Sequence, residues 1–464
     1  MRRVVLAVAF CLMCGKVLGQ QHLLTLNEYL TMVKTYHPVA LQARLNTDKA
    51  FFTRRQALGG FDPKLEVNRE RKIFDGKTYY DYVIPEAKLP LWYGIDLKAS
   101  YSRYNGEYVN AENKVPKDGL GYLGLSVPIG RGLFIDERRA ALQQANIYND
   151  IAANDQLQML NDLFVNATHT YAEWLNAWLN TSVYEQAVKL AEVRLKGTQQ
   201  LFKNGDRPAI DTLEALTLLQ TREQKLTEYK TLLVNKKNDL AAYLWLENLT
   251  PTDPEKLVIQ PDSLLIDINA PDSLLLKEPA AVSAQNPEVK SYRFKIDQLD
   301  IQRRLKLEEI KPTVNLNLGL LNTGRNVFSN LNTNWLQNNQ KLGLTIAMPL
   351  TFTKERAAYS LSKIKIQEAQ YALLDKGNLV AVKWNNYRND LKNLEQQVLI
   401  NTAMQKNNEV LLKGEEIKFR MGESSVFLVN VREQKVLDTR EKLNELYTKR
   451  IKTIQYLKWL SNSW

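Results

Sequence analysis

Cysteine is almost missing from this sequence. Its 464 residues include two, Cys11 and Cys14, both within the first twenty. The remainder can hold no disulfide framework and no thiolate metal site. Histidine is nearly as rare: His22, His37 and His169 stand far apart, and none belongs to a His/carboxylate cluster. Metal-dependent catalysis therefore lacks a ligand set. There is no phosphate-binding glycine motif either. The expectation is a protein that is not an enzyme and carries no cofactor. No stretch reaches the 18 or so apolar residues that a membrane-spanning helix needs. The net charge is +11, yet no dense Lys/Arg tract is interleaved with aromatics, which argues against nucleic acid. Nor is the chain composed like a disordered one, since apolar residues make up 44% and charged residues 24%.

What is present begins with a leader. Arg2 and Arg3 precede the short apolar core "VVLAVAFCLMCG", and Gly19 offers a small residue for cleavage. Residues 1–19 read as a secretory signal peptide. The pairs before the cysteines, "AF" and "LM", lack the small-residue pattern of an acylated cysteine, so cleavage without lipidation is expected. Removal of Arg2, Arg3 and Lys16 leaves a charge of +8. A basic exported protein can meet acidic lipid or acidic partners. Without a transmembrane helix it is periplasmic, secreted, or inserted as a β-barrel.

The chain also repeats itself. "HPVALQARLNTDKAFFTRRQALGGFDPKLEVN" starts at His37, and "NPEVKSYRFKIDQLDIQRRLKLEEIKPTVNLN" at Asn286. Pro38 and Pro287 are 249 apart, as are Pro63 and Pro312. "GLSVPI" at Gly124 pairs with "LTIAMPL" at Leu344, and "ERRAAL" at Glu137 with "ERAAYSL" at Glu355. Phe202–Asp206 pairs with Phe419–Glu423 at an offset of 217. The fall in offset places about thirty extra residues in the first copy, between Pro63 and Pro128. The organisation is then a first repeat over 20–247, a proline-rich connector over 248–285, and a second repeat over 286–464.

Each repeat carries helices too long for a globule. No proline interrupts Glu137–Phe202 or Glu355–Arg420, and each stretch would run roughly 100 Å as a helix. Leu157, Phe164, Tyr171 and Trp178 recur every seven residues beside Leu160, Ala167 and Trp174, a coiled-coil pattern. Returning helices are predicted from about 209 to 246 and 426 to 460. The first pair makes a helical hairpin over 137–247, the second one over 355–462. Between helices stand Asn204-Gly205 and Met421-Gly422, where glycine supplies a left-handed cap. Pro208 suits the first turn of the returning helix. A loop needed twice in one chain reads as a structural corner rather than a reactive centre.

Strand signals fall in 64–129 and 313–350. "KLEVN", "GIDLKASYS", "YLGLSVPI", "TVNLNLGL" and "KLGLTIAMPL" alternate apolar with small or polar residues, as a membrane β-strand or a half-buried sheet would. Four to six strands per chain cannot close a barrel, which takes at least eight. If they span a bilayer, several chains must pool them.

These features in this order resemble the TolC-like outer membrane efflux protein family: "LTLNEYL…HP", "FDPKLEVN", "LSVPIGRGLFIDERRAAL" before a long helix, and doubled "F-x-x-G" tips. The resemblance covers the whole mature chain. It implies a fold of α-helical barrel plus membrane β-barrel, internally duplicated and trimeric, with one shared twelve-stranded barrel in outer-membrane lipid. It also implies an exit duct for tripartite efflux or type I secretion. The implied partners are two further copies, a periplasmic adaptor (membrane fusion protein) and an inner-membrane transporter. The tips where adaptor hairpins dock fall on Phe202, Asn204, Gly205, Phe419, Met421 and Gly422. Arg194, Lys196, Lys203, Arg207, Lys413, Lys418 and Arg420 make those ends basic, as a solvated helix face would too. The family's constricting aspartates are replaced here by Leu428 and Val431. Asp211 and Glu214 hold the matching spacing on the first hairpin and could ring a pore or cap a helix start; Asn430 is a further constriction candidate. A soluble periplasmic coiled-coil scaffold or adaptor is the competing function, and it has no need of alternating strands in both copies.

Overall fold

The computed structural model describes residues 22–108, 114–257, 259–263, 270–324 and 339–463; the leader lies outside them. The described residues divide into two compact units. One comprises the chain up to Leu45, Gln156–Pro287 and Gly377–Trp464; the other comprises Asn46–Asp155 and Glu288–Lys376.

The chain enters the first unit through a short strand, β1 (His22–Leu24), and helix α1 (Leu26–Tyr36). A capping box fixes the helix start: Thr25 accepts from the Glu28 amide while the Glu28 carboxylate accepts from the Thr25 amide. His37 ends α1, and Pro38 opens α2 (Pro38–Leu58). The second unit holds β2 (Lys64–Phe74), β3 (Lys77–Pro90), β4 (Asp96–Asn105) and β5 (Leu120–Pro128). Helix α3 (Glu137–Lys203) follows, 67 residues long, and α4 (Ala209–Ala241) returns. The connector contributes β6 (Ile259–Pro261), α5 (Asp272–Leu275) and α6 (Pro279–Gln285). The second copy then runs through α7 (Pro287–Glu309), β7 (Thr313–Thr323), β8 (Gln340–Ala347), the 68-residue α8 (Thr353–Arg420) and α9 (Val426–Ser461). Among the described residues no helix is long and apolar enough to cross a membrane.

In the first unit the heptad residues form a core. Tyr171, Ala167 and Trp174 are buried with Tyr29, Val33, Leu163, Leu240 and Leu244. The Tyr171 hydroxyl donates to the Leu24 carbonyl at 2.5 Å and accepts from the Asp262 amide at 3.0 Å. One aromatic side chain thus holds the ends of β1 and β6, which pair in parallel. Burial pushes its hydroxyl up to about 12.

The second unit is built on one antiparallel sheet of order β2-β3-β4-β5-β7-β8. Its register separates two chemistries. One face carries the hydrogen-bonded rows Leu65–Ala87–Ala99–Leu123–Leu320 and Leu89–Leu97–Leu125–Leu318–Leu342. The rows Val127–Leu316–Leu344 and Val314–Ile346 continue it. The opposite face carries Lys64–Lys88–Lys98–Gly124–Gly319–Lys341 in a single row, beside Glu66–Glu86–Ser100–Tyr122. The Tyr122 ring lies over the Gly124–Gly319 pair: a Cβ on Gly319 would come within 2.1 Å of it. Glycine is required there by close approach.

Where the sheet meets α3, Arg138 binds Asp96 at 3.0 Å and Lys88 binds the same carboxylate at 2.9 Å. Arg139 donates to the carbonyls of Gly132, Leu133 and Phe134, tying down the loop before the helix. Ile135, Ala140 and Ile301 close a small apolar core beneath.

Two sequence expectations change. A twelve-stranded barrel shared by three chains asks for four strands each, but the sheet has six. The extra residues of the first copy add two strands to the pair that the second copy has, so 64–129 holds two hairpins, β2–β3 and β4–β5, and β3 is a strand the alternation did not reveal. Pro208 is the N-cap of α4, in extended conformation, rather than its first-turn residue.

Candidate functional site

Both helical tips lie in the first unit, and their backbones are alike. Gly205 and Gly422 each have φ near 80°, a conformation glycine adopts without Cβ strain. The Asp206 amide donates to the Leu201 carbonyl at 2.9 Å and Gly205 to Phe202 at 3.0 Å. At the second tip Glu423 donates to Lys418 at 2.9 Å and Gly422 to Phe419 at 3.1 Å. This is the paired bonding that satisfies the last carbonyls of a helix and reverses the chain. Ser425 then caps α9, accepting from the Leu428 amide at 3.3 Å.

The tips touch. The Arg207 guanidinium lies 4.9 Å from the Phe419 ring centroid and donates to the Ser424 carbonyl at 3.4 Å. Ser424 donates in turn to Glu415 at 2.5 Å. Around them Phe202, Ile210, Leu213, Met421, Phe427 and Leu428 are exposed. Asn204, Gly205 and Gly422 are exposed as well, and Phe419 is half-buried under Arg207. Of the six tip residues expected from the sequence, five are exposed and Phe419 is half-buried.

The constriction candidates also come together, inside the protomer. Asp211 and Asn430 are buried and Glu214 is half-buried. Burial first, then the neighbouring Asp211, raises the Glu214 carboxyl above its ordinary value, against the effect of a hydrogen bond with Asn430. Asn430 accepts from Arg194 at 3.1 Å, and Arg194 also grips the Glu433 carboxylate. Arg194, assigned by sequence to a basic surface, is in fact 11% exposed, and Glu433 4%. Nearby, Arg222 is buried and donates to Gln434 at 2.5 Å.

Two more polar rungs tie α3, α4 and α9 together. Glu441 on α9 accepts from Tyr184 at 3.0 Å and from Tyr229. Glu173 on α3 accepts from Lys236 at 2.7 Å and from Lys452 at 2.6 Å. Burial works against ionisation of Glu173, but these two lysines outweigh it and hold its carboxyl below the usual range. Sequence reasoning missed all three rungs, because their partners lie far apart along the chain. Among the described residues no His, Cys, Asp and Glu side chains gather in a metal-holding group.

Residues 89–244 match the family model described as outer membrane efflux protein. Over 249 residues the chain is 27% identical to the outer membrane protein TolC of Escherichia coli (strain K12), covering 50% of this chain and 46% of TolC. The match thus spans less than half of that relative. In structure the chain is similar to the outer membrane protein VceC of Vibrio cholerae, with a TM-score of 0.65 at 15% identity over 94% of this chain and 96% of that one. It is likewise similar to the outer-membrane channel OprN, with a TM-score of 0.68 at 13% identity over 95% and 90%. At these identities the likeness establishes the fold.

Two outcomes are expected at the tips. Arg194→Met or Glu433→Leu alone leaves a buried charge unpaired and should cost about 3–5 kcal/mol, whereas the double variant should recover most of it. Thermal unfolding of the single and double variants measures this; additive losses would show that the pair is not coupled. For Glu214, a raised folded-state value means that its stabilising contribution is complete below the ordinary glutamate value of about 4.3. That contribution is lost as pH rises through the raised value. Melting temperature should fall across that window and Glu214→Gln should flatten the fall; parallel pH profiles for the two proteins would contradict the assignment.

Proposed function

Taking the chain as a TolC-like outer membrane efflux protein, we propose that it is the outer-membrane exit duct of a tripartite efflux system, assembled from three copies and extending into the periplasm. The observation that carries this reading is the sheet. Apolar rows run across one face from strand to strand, with Arg69, Arg71, Asp81 and Arg103 toward its Asp75-Gly76 end, and the other face carries the lysine and glutamate rows, which suits lipid on one side and water on the other. A soluble scaffold would have to shield Leu65, Val67, Leu342, Leu344 and Ile346, all of which are exposed in the single chain.

The long helices supply the periplasmic part, and the three polar rungs fix how α3, α4 and α9 pack. The tips supply the docking surface. Exposed Phe202, Met421 and the turn glycines would meet the hairpin of a periplasmic adaptor, whose partner is an inner-membrane transporter. Asp211, Glu214 and Asn430 are proposed to set the width of the opening indirectly, since they bond within the protomer and position α4 against α9. The chain moves substrate without chemistry of its own. It has no phosphate-binding motif, so the energy comes from the transporter.

Fractionation tests the duct. The protein should remain in outer membranes through high-salt and carbonate washes, and native mass measurement after detergent extraction should give three chains. Release by the washes as a free protein would overturn the reading in favour of a periplasmic scaffold.

A further inference from the structure

From the sheet we infer that the hairpin β2–β3 is part of the barrel wall, so that three copies enclose eighteen strands rather than twelve. The inference rests on the duct reading and specifies its outer-membrane section. Three copies of a six-stranded sheet give that number only if all six strands belong to the wall.

The hydrogen bonding decides which strands can meet a neighbouring copy. A twelve-stranded closure would use β4 as the edge. But β4 is already paired on both sides, with β5 from Asp96↔Ser126 to Ser102↔Leu120 and with β3 from Pro90↔Asp96 to Asp81↔Asn105. Freeing it would break the whole β3–β4 ladder and leave the backbone groups along β3 without partners, at several kcal/mol each in hydrocarbon. Among the described strands of this sheet only β2 and β8 have a free edge. Every neighbouring pair is antiparallel, so β2 and β8 run in opposite senses. Joining β8 of one copy to β2 of the next continues the same antiparallel pattern around the ring.

The side chains agree. The apolar face does not stop at β4: Ala99 continues into Ala87 and Leu65, and Leu97 into Leu89. A hairpin folded over the rim would have no use for that continuity. Arg69, Arg71, Asp81 and Arg103 share this face, but they sit toward the Asp75-Gly76 turn, and Arg69 and Arg71 lie 3.8 and 3.9 Å from Asp81. Charges on a lipid-facing strand cost little at that margin.

The strand ends drift in register as well. The row that starts at Lys64, the first residue of β2, reaches β8 at Lys341, near the start of that strand, while Ala347 at the end of β8 pairs with Thr313 beyond the end of β5. This stagger is what tilted strands in a closed barrel require. Barrel width grows roughly in proportion to strand number, so eighteen strands make a wall about half as wide again as twelve. A barrel of that size encloses an open aqueous lumen. Selection among substrates then falls to the helical tips, not to the outer-membrane section.

Disulfide trapping tests the wall. In a Cys11→Ser/Cys14→Ser background the only native cysteines are gone. Pairs joining Leu65→Cys or Val67→Cys to Leu342→Cys or Leu344→Cys should convert most of the protein in outer membranes to cross-linked dimers and trimers. Pairs joining Leu97→Cys or Ala99→Cys to the same β8 positions should give none. Trapping from β4 with none from β2, or no trapping from β2 at all, overturns the inference. Electron cryomicroscopy of the unaltered protein counts the strands independently of any variant: eighteen supports the inference and twelve ends it. A protein that is trimeric in the membrane with twelve strands would sink this inference alone. One that never enters the membrane would sink the duct.

Discussion

A backbone N–H or C=O group without a hydrogen-bond partner costs several kcal/mol in hydrocarbon. That single constraint orders the structure of this protein. A sheet with an apolar face and two open edges is stable in water only if the face is covered, and stable in lipid only if the edges are paired. The six-stranded sheet meets neither condition alone. In the proposed assembly copies of the same chain meet both, because lipid would cover the face and each β8 would reach a β2. Helices of 67 and 68 residues have too little propensity-based stability to stand isolated and take it from packing along their length.

Packing on this scale needs register as well as area. Apolar heptads slide easily, whereas polar contacts do not. Glu173 between Lys236 and Lys452, Glu441 between Tyr184 and Tyr229, and Arg194 on Glu433 each join different helices at one height. Single buried polar groups fix alignment in coiled coils in this way, at some cost in stability. The Arg207–Phe419 contact ends the series at the tips. A tip held by a few polar contacts, rather than by a deep core, is a place where one arrangement of helices can be exchanged for another.

Much of this was legible in the sequence, and the reasons differ by element. The paired prolines, the glycines at 205 and 422, and the proline-free stretches are local signals with local causes, so the helices and their corners could be located. Five strands announced themselves by alternation. β3 did not, because "TYYDYVIPEA" places aromatics and apolar residues on both faces and carries Pro85 in its middle, which normally argues against a strand between two neighbours. Two of its tyrosines, Tyr80 and Tyr82, serve the polar face: both bond Glu70, and the Tyr82 ring packs tilted against Tyr104 at 5.1 Å. At the tips the sequence showed which residues gather but not which way they turn. Asp211, read as a pore-ring or helix-start carboxylate, is buried, and Arg194, which looked like a surface cation, is an internal anchor. Burial depends on helices 200 residues apart in the chain, and no spacing rule reports it.

The central claim is that the two open edges of the sheet are closed by other copies in the membrane. Backbone amide exchange in lipid nanodiscs measures it directly. The account predicts that amides of β2 and β8 are protected as strongly as those of the central strands β4 and β5. Fast exchange along β2 or β8, with β4 and β5 still protected, would mean an edge left open and would contradict it.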